Sequence, residues 1–274
     1  MWLYPDWREI HMGRELCITD TAATVEALLG VAPRTGMAPP LGAVLSEARG
    51  AFGADVCDRA FWYNPDAIAL WIYKRYASMF APLEERSDMS LVLRSAVPPV
   101  TPVCFASMYS GLLPEEHGIR KYEKPVVTCR TVFDDLADAG RRAAIVSTSG
   151  DSMSLIFGGR NIDYYIYDSM KECNAKAMEL IDRDEHDFIA LYNGDYDHWM
   201  HRFGPEGRPA LWALGEDIDT WCGLHDAIKE KWTGHRTALA FAPDHGCHYK
   251  YGIFGSHGQD ILRDMYIRHF YAFI

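Results

Sequence analysis

Carboxylates and imidazoles recur in four separate stretches of the chain: Asp66, Asp197 with His201, Asp244 with His245, and His257. Six such side chains suit two divalent cations better than one. A mixed set of histidine nitrogen and carboxylate oxygen favours zinc, with manganese or iron as substitutes, because calcium and magnesium prefer all-oxygen shells. Asp197 and His201 are four residues apart, so a helical turn or a tight loop puts both on one side. Asp195 and His198, in the same GDYDHWMHRFGP string, keep the choice of ligands there open. Taken singly, each piece reads equally well as a solvated acidic loop or a structural histidine. Their joint occurrence in this order is what points to a metal centre.

A hydroxyl group accompanies them. In SAVPPVTPVCFASMYSGLLPEEHGI, Thr101 precedes Pro102, and the segment that follows ends at Gly111. Thr is a good N-cap and Pro is favoured at the first helical position, so Thr101 is expected to cap a helix N-terminus. A cap accounts for Thr-Pro by itself. Such a terminus is also an anion site, and a hydroxyl held by a metal ionises near neutral pH, so Thr101 is the candidate nucleophile toward phosphorus.

The elements that must position these groups follow a simple order. Asp66 comes just after the strand-like run Arg59 to Tyr63, Asp197 after DFIALYNG and Asp244 after TALAFAP. Ligands of open α/β sheets gather at the carboxyl ends of strands, where residues distant in sequence meet. Strand-like and helix-like segments alternate along the chain, which predicts an α/β fold with a mostly parallel sheet and helices on both faces. A helix is expected from Asp20 to Leu29, followed by the Pro/Gly-rich VAPRTGMAPPLG. Next come a strand ending at Tyr63, a turn at Asn64 and Pro65, and one helix through AIALWIYKRYASMF. Further strands are expected at SLVLRSA, RAAIVSTS, DFIALYN, TALAFAP and MYIRHFYAFI, and a long helix from Pro209 to Lys231. The organisation expected is one domain, with an N-terminal arm over 1–54 and a core over 55–274.

At 274 residues a substantial core is available, and a net charge of -11 offers no basic stripe for nucleic acid. Seven cysteines without a close CxxC pair read as scattered thiols in a reducing compartment. Asp6 and Glu9 interrupt MWLYPDWREIHM where a secretory leader needs an apolar stretch, and no run is long enough to span a membrane. A soluble cytoplasmic protein is the expectation.

The ordered set of Asp66, PPVTPVCFASMYSGLLPEEHGI, DYDHWMHRFGP, PDHG and GSHG resembles the alkaline phosphatase superfamily, nearest its nucleotide pyrophosphatase/phosphodiesterase branch. The resemblance runs from about Tyr63 to Phe273 and implies an alkaline phosphatase-like core with reduced insertions. It implies that Asp197, His201 and His257 hold one metal, and that Asp66, Asp244, His245 and the Thr101 hydroxyl hold the other. It further implies in-line attack by Thr101, a phosphothreonine intermediate and its hydrolysis, on a small phosphate ester or nucleotide-like substrate. His117 matches a motif of this group and is expected to orient its loop. Three positions depart from the pattern. Ala67 follows Asp66 where glycine is usual, Cys104 takes the substrate-binding place of an asparagine, and only eleven residues separate His245 from His257. Arg120 and Lys121 offer positive charge beyond the nucleophile segment, and Asp151 lies on the expected rim without a role. A sulfatase needs C/S-x-P-x-R, which CFASM lacks. The remaining alternatives are a phosphomonoesterase or phosphomutase of the same superfamily, and a metal-binding regulatory protein without turnover.

Overall fold

Apolar runs at β period form the spine of the molecule. The computed structural model describes residues 14–54 and 56–274, so the leader question at MWLYPDWREIHM and the start of the core at Asp55 lie outside the described residues. The strands are β1 (Arg59–Pro65), β2 (Met89–Arg94), β3 (Ala143–Thr148), β4 (Asp163–Tyr167), β5 (Phe188–Asn193), β6 (Thr237–Phe241), β7 (His248–Lys250), β8 (Phe254–Ser256) and β9 (Tyr266–Phe273). Seven of them make one sheet in the order β2-β9-β6-β1-β5-β3-β4, and β7 pairs with β8 in a separate hairpin. Only β9 runs against its neighbours β2 and β6, while the pairings among β6, β1, β5, β3 and β4 are parallel. The expected mostly parallel α/β architecture is therefore present.

The central strand shows why both faces are covered. Along β1, Ala60 and Trp62 enter one apolar cluster with Val103 and Phe105, whereas Phe61 and Tyr63 enter another with Leu214 and Trp221. Side chains alternate across a strand, so a continuous apolar run needs a helical layer on each side. The Thr101–Ser110 helix supplies part of the first layer and the Arg208–Lys231 helix part of the second. Ile18, Val25 and Leu28, from the region of the Asp20–Leu28 helix, pack into the first cluster too.

Several local expectations need correction. A helix, Gly42–Phe52, follows the Pro/Gly-rich passage, and its Val44 and Ala48 are buried. The helix expected through AIALWIYKRYASMF is broken at Tyr76 (φ -116°, ψ 33°) into Leu70–Arg75 and Ala77–Glu84. No turn occurs at Asn64 and Pro65, because β1 pairs with β5 through Pro65 and delivers Asp66 directly from the strand end. Among the described residues all seven cysteines are free, and no helix is long and apolar enough to cross a membrane.

Candidate metal centre

The carboxyl ends of β1, β5 and β6 bring the distant acids together, as their positions in the chain predict. Asp66, Asp244 and His245 form one group of possible ligands and Asp197, His201 and His257 a second, with the ligand atoms of each group within 4.8 Å of one another. The groups adjoin, since the His245 and His257 rings stack with centroids 4.2 Å apart. Asp197 and His201 lie one turn apart on the Asp195–Phe203 helix. Thr101 stands over the first group, its Oγ1 3.2 Å from Asp66 Oδ2 and 3.4 Å from His245 Nε2.

Proton placement reveals what this cluster requires. His201 Nδ1 lies 3.1 Å from the Gly255 carbonyl, His245 Nδ1 3.0 Å from that of Gly246, and His257 Nδ1 3.2 Å from that of Pro99. A carbonyl can only accept, so each Nδ1 carries the hydrogen and a neutral ring presents a lone pair at Nε2. Those three Nε2 atoms face carboxylate oxygens. His201 and His257 are 3.3 and 3.4 Å from Asp197 Oδ1, and His245 is 3.4 Å from both Asp66 Oδ1 and Asp244 Oδ2. The same three oxygens are buried with no hydrogen-bond partner. Lone pairs opposed to anionic oxygens repel unless a cation lies between them, most strongly in the wholly buried Asp66, Asp244 and His245 group and less at the exposed His201, and backbone carbonyls holding the far ring nitrogen are the usual orienting partners of metal-binding histidines. The donor set fits two cations of the zinc, manganese or iron type.

Protons are the competing counter-charge. Burial, with Asp197 adding to it, pushes Asp66 up to about 6, and burial together with Asp66 drives Asp244 well above the carboxylate range. Burial opposes ionisation of Asp197 as well, but in this protonated alternative a His201 ring that takes up a second proton, favoured by its contact with Asp197, outweighs it and holds the carboxyl below its ordinary value. Burial and the neighbouring His245 depress His257 to about 3.

Neither a protein-family model nor a curated protein matches the sequence. Solved structures do match. An inactive threonine-to-alanine form of murine ectonucleotide pyrophosphatase/phosphodiesterase 5, in complex with AMP, aligns with a TM-score of 0.57 at 15% identity, over 69% of this chain and 57% of that one. The unsubstituted murine protein gives 0.56 at 17% identity and the human protein 0.55 at 16%, with the same coverages. The chain has the fold of these phosphodiesterases. It spans 57% of their length.

Within this fold the departures from the phosphodiesterase pattern acquire geometry. Ala67 adopts φ 63°, the left-handed region in which glycine is favoured, and this conformation aims its N–H at Asp244 Oδ1, 3.2 Å away. A side chain there costs about 1–2 kcal/mol. Cys104 is fully buried in the apolar cluster beneath Thr101, and burial raises its thiol well above the usual range. Thr101 is the first helical residue, not the cap. Val100 takes the extended N-cap conformation, and the Thr101 hydroxyl is left for Asp66.

Other candidates find places outside the ligand groups. Asp195 and His198 are exposed. Asp151 is the N-cap of the Ser152–Ile156 helix and accepts the Ser154 N–H at 2.8 Å. His117 accepts the Ile119 N–H at Nδ1 and meets Ser107 Oγ at 2.9 Å through Nε2, which orients its loop as expected. Arg120 and Lys121 are exposed, bound to the Glu115 carbonyl and to Glu123. Sequence reading missed Tyr192, whose hydroxyl donates to Asp66 Oδ2 at 2.6 Å, an across-strand contact without a local motif.

Gly246 supplies a direct test of this packing. A Cβ there would lie 2.1 Å from the Arg263 carbonyl and 2.9 Å from Ala69 Cβ. Gly246→Ala must displace the backbone beside His245, and overpacking of this kind costs about 1–3 kcal/mol. The expected result is a lower melting temperature together with fewer than two metal ions per chain after reconstitution, read by calorimetry and elemental analysis. Unchanged stability and full metal content would contradict the geometry.

Proposed function

We propose that the protein hydrolyses phosphoric diesters or nucleotide-like phosphoanhydrides at a two-metal centre, with Thr101 as nucleophile. The observation that carries this reading is the convergence of three lone-pair-bearing Nε2 atoms and three partnerless carboxylate oxygens beside one buried hydroxyl at a helix N-terminus. Two divalent ions at such a site supply charge neutralisation for attacking and leaving oxygens. Asp66 Oδ2 accepts from Thr101 Oγ1 and holds the hydroxyl in place. The positive end of the Thr101–Ser110 helix faces the incoming phosphoryl group. Thr101 Oγ1 gives up its proton to solvent and forms the new P–O bond as the bond to the leaving oxygen breaks, the leaving group takes a proton from solvent, and water then cleaves the phosphothreonine to a phosphate product and the free hydroxyl. Support for this assignment also comes from the neighbours, one of which is made inactive by a threonine-to-alanine change and holds AMP.

A preference for diesters follows from charge. A dianionic monoester needs more cationic or donor contacts around its free oxygens than a diester does. The segment Thr101–Ser110 contains no arginine or lysine, and the Cys104 thiol, a weak donor, is fully buried. With the metal-loaded enzyme, kcat/KM for bis-p-nitrophenyl phosphate is expected to exceed that for p-nitrophenyl phosphate. A monoester preference above about tenfold, roughly 1.4 kcal/mol at the transition state, would reverse the substrate assignment.

A further inference from the structure

Asp264 belongs to neither ligand group, yet it is wholly buried in the Leu262–Met265 helix, and every partner of its carboxylate and of its carbonyl leads back to the metal loops. Its carboxylate receives the His248 Nδ1–H at 2.7 and 2.9 Å and the Gln259 backbone N–H at 2.9 Å. Its carbonyl receives the Gly246 N–H at 2.7 Å. Gly246 follows His245, and Gln259 lies two residues beyond His257. His248 opens the β7–β8 hairpin and pairs across it with Ser256, immediately before His257 and after Gly255, whose carbonyl orients His201.

We infer that Asp264, bound to His248, is a positioning residue that locks the Asp244–His245 loop and the His257 loop into one register, so that both metal sites depend on it. This rests on the two-metal reading above. The physical argument is one of precision. Ligand distances must be met to within about 0.2 Å, and only a short hairpin joins the two loops. Charge-assisted hydrogen bonds to a single buried carboxylate are short and directional, and apolar packing cannot fix the relative height of two backbone segments in that way. His248 reaches Asp264 through Nδ1, the same ring nitrogen that the three metal-facing histidines give to backbone carbonyls, but its Nε2 meets Gln259 Nε2 at 3.4 Å and stands outside both ligand groups.

The test compares wild type, His248→Ala and His248→Asn as full chains. Asn keeps an N–H donor near the place of Nδ1, whereas Ala removes it. Zinc affinities are read by chelator competition, coordination by the visible spectrum of the cobalt(II) form, and folding by melting in chelator. For His248→Ala, both affinities are expected to fall by about 10–100-fold, the scale on which partners that orient metal ligands act, with an altered cobalt spectrum. Melting in chelator is expected to stay close to wild type, and His248→Asn to recover most of the affinity. Should His248→Ala not fold, Asp264→Asn, which keeps the volume but removes the negative charge and one of the two acceptor oxygens, is expected to show the same double loss. Affinities within about threefold of wild type, a loss at one site alone, or a loss that Asn does not restore would overturn the inference. A wild-type chain that binds no metal fails the two-metal reading itself. A wild-type chain that loads normally while His248→Ala loads equally well fails this inference alone.

Discussion

Thr101→Ala is expected to lower kcat by about 10⁴-fold or more, the scale set by nucleophile deletion in other covalent enzymes. The loss should be catalytic and not conformational. Thr101 makes no capping hydrogen bond, its hydroxyl points to Asp66 and His245, and Val100 occupies the N-cap position. Even loss of a true cap costs only about 1 kcal/mol, so melting of the variant should stay close to that of wild type. Thr101→Ser retains a hydroxyl at the same atom and should keep measurable turnover, with a phosphoserine in place of phosphothreonine when the reaction is quenched. Near-native turnover by Thr101→Ala would mean that water attacks phosphorus directly, and the covalent step would fall.

Removal of metal should have an effect of comparable size. Exhaustive treatment with a chelator is expected to strip up to two transition-metal ions per chain and abolish turnover, and zinc or manganese should restore it. Stability should fall as well. A ligand bound only by the folded state contributes about 2.7 kcal/mol at a hundred times its dissociation constant. In its absence three buried carboxylate oxygens face three imidazole lone pairs. The pH dependence has a definite sign. Asp66 and Asp244 are raised in the folded chain, so without metal these two groups bind more protons in the folded state than in the unfolded one. The stability that these two groups contribute to the chelated protein is therefore greatest below the ordinary carboxylate value and declines as pH rises through about 6, where Asp66 ionises, while the depressed His257 and Asp197 act in the opposite sense. The melting difference between metal-loaded and chelated protein should accordingly widen from pH 4 to pH 7. Full activity with no bound metal, or a melting temperature indifferent to chelator across that range, would overturn the metal centre.

The amino-acid sequence by itself made six of the seven sheet strands and the candidate ligand positions legible, because in both cases the information is local. The runs at Arg59–Pro65, Phe188–Asn193 and Thr237–Phe241 are apolar on both faces, as parallel strands under two helical layers must be. Asp66, Asp197 and Asp244 follow those strands within a few residues and reach the ligand edge by topology alone. The Gly42–Phe52 helix, the break at Tyr76 and the edge strand β4 were not legible. Their fully buried positions are few, and it is packing against distant elements that decides them. Within the centre, the string around Asp197 left two aspartates and two histidines open, and only the direction of the Asp195–Phe203 helix set Asp197 and the exposed His201 beside His257 and left Asp195 and His198 outside the group. The hydrogen bond from Tyr192 to Asp66, the carbonyls of Pro99, Gly246 and Gly255 that set each ring's tautomer, and the Asp264 link between the loops belong to tertiary structure alone. Backbone carbonyls and across-strand partners carry no residue-type signature. Their role exists only once the chain has placed them within about 3 Å of an imidazole or a carboxylate.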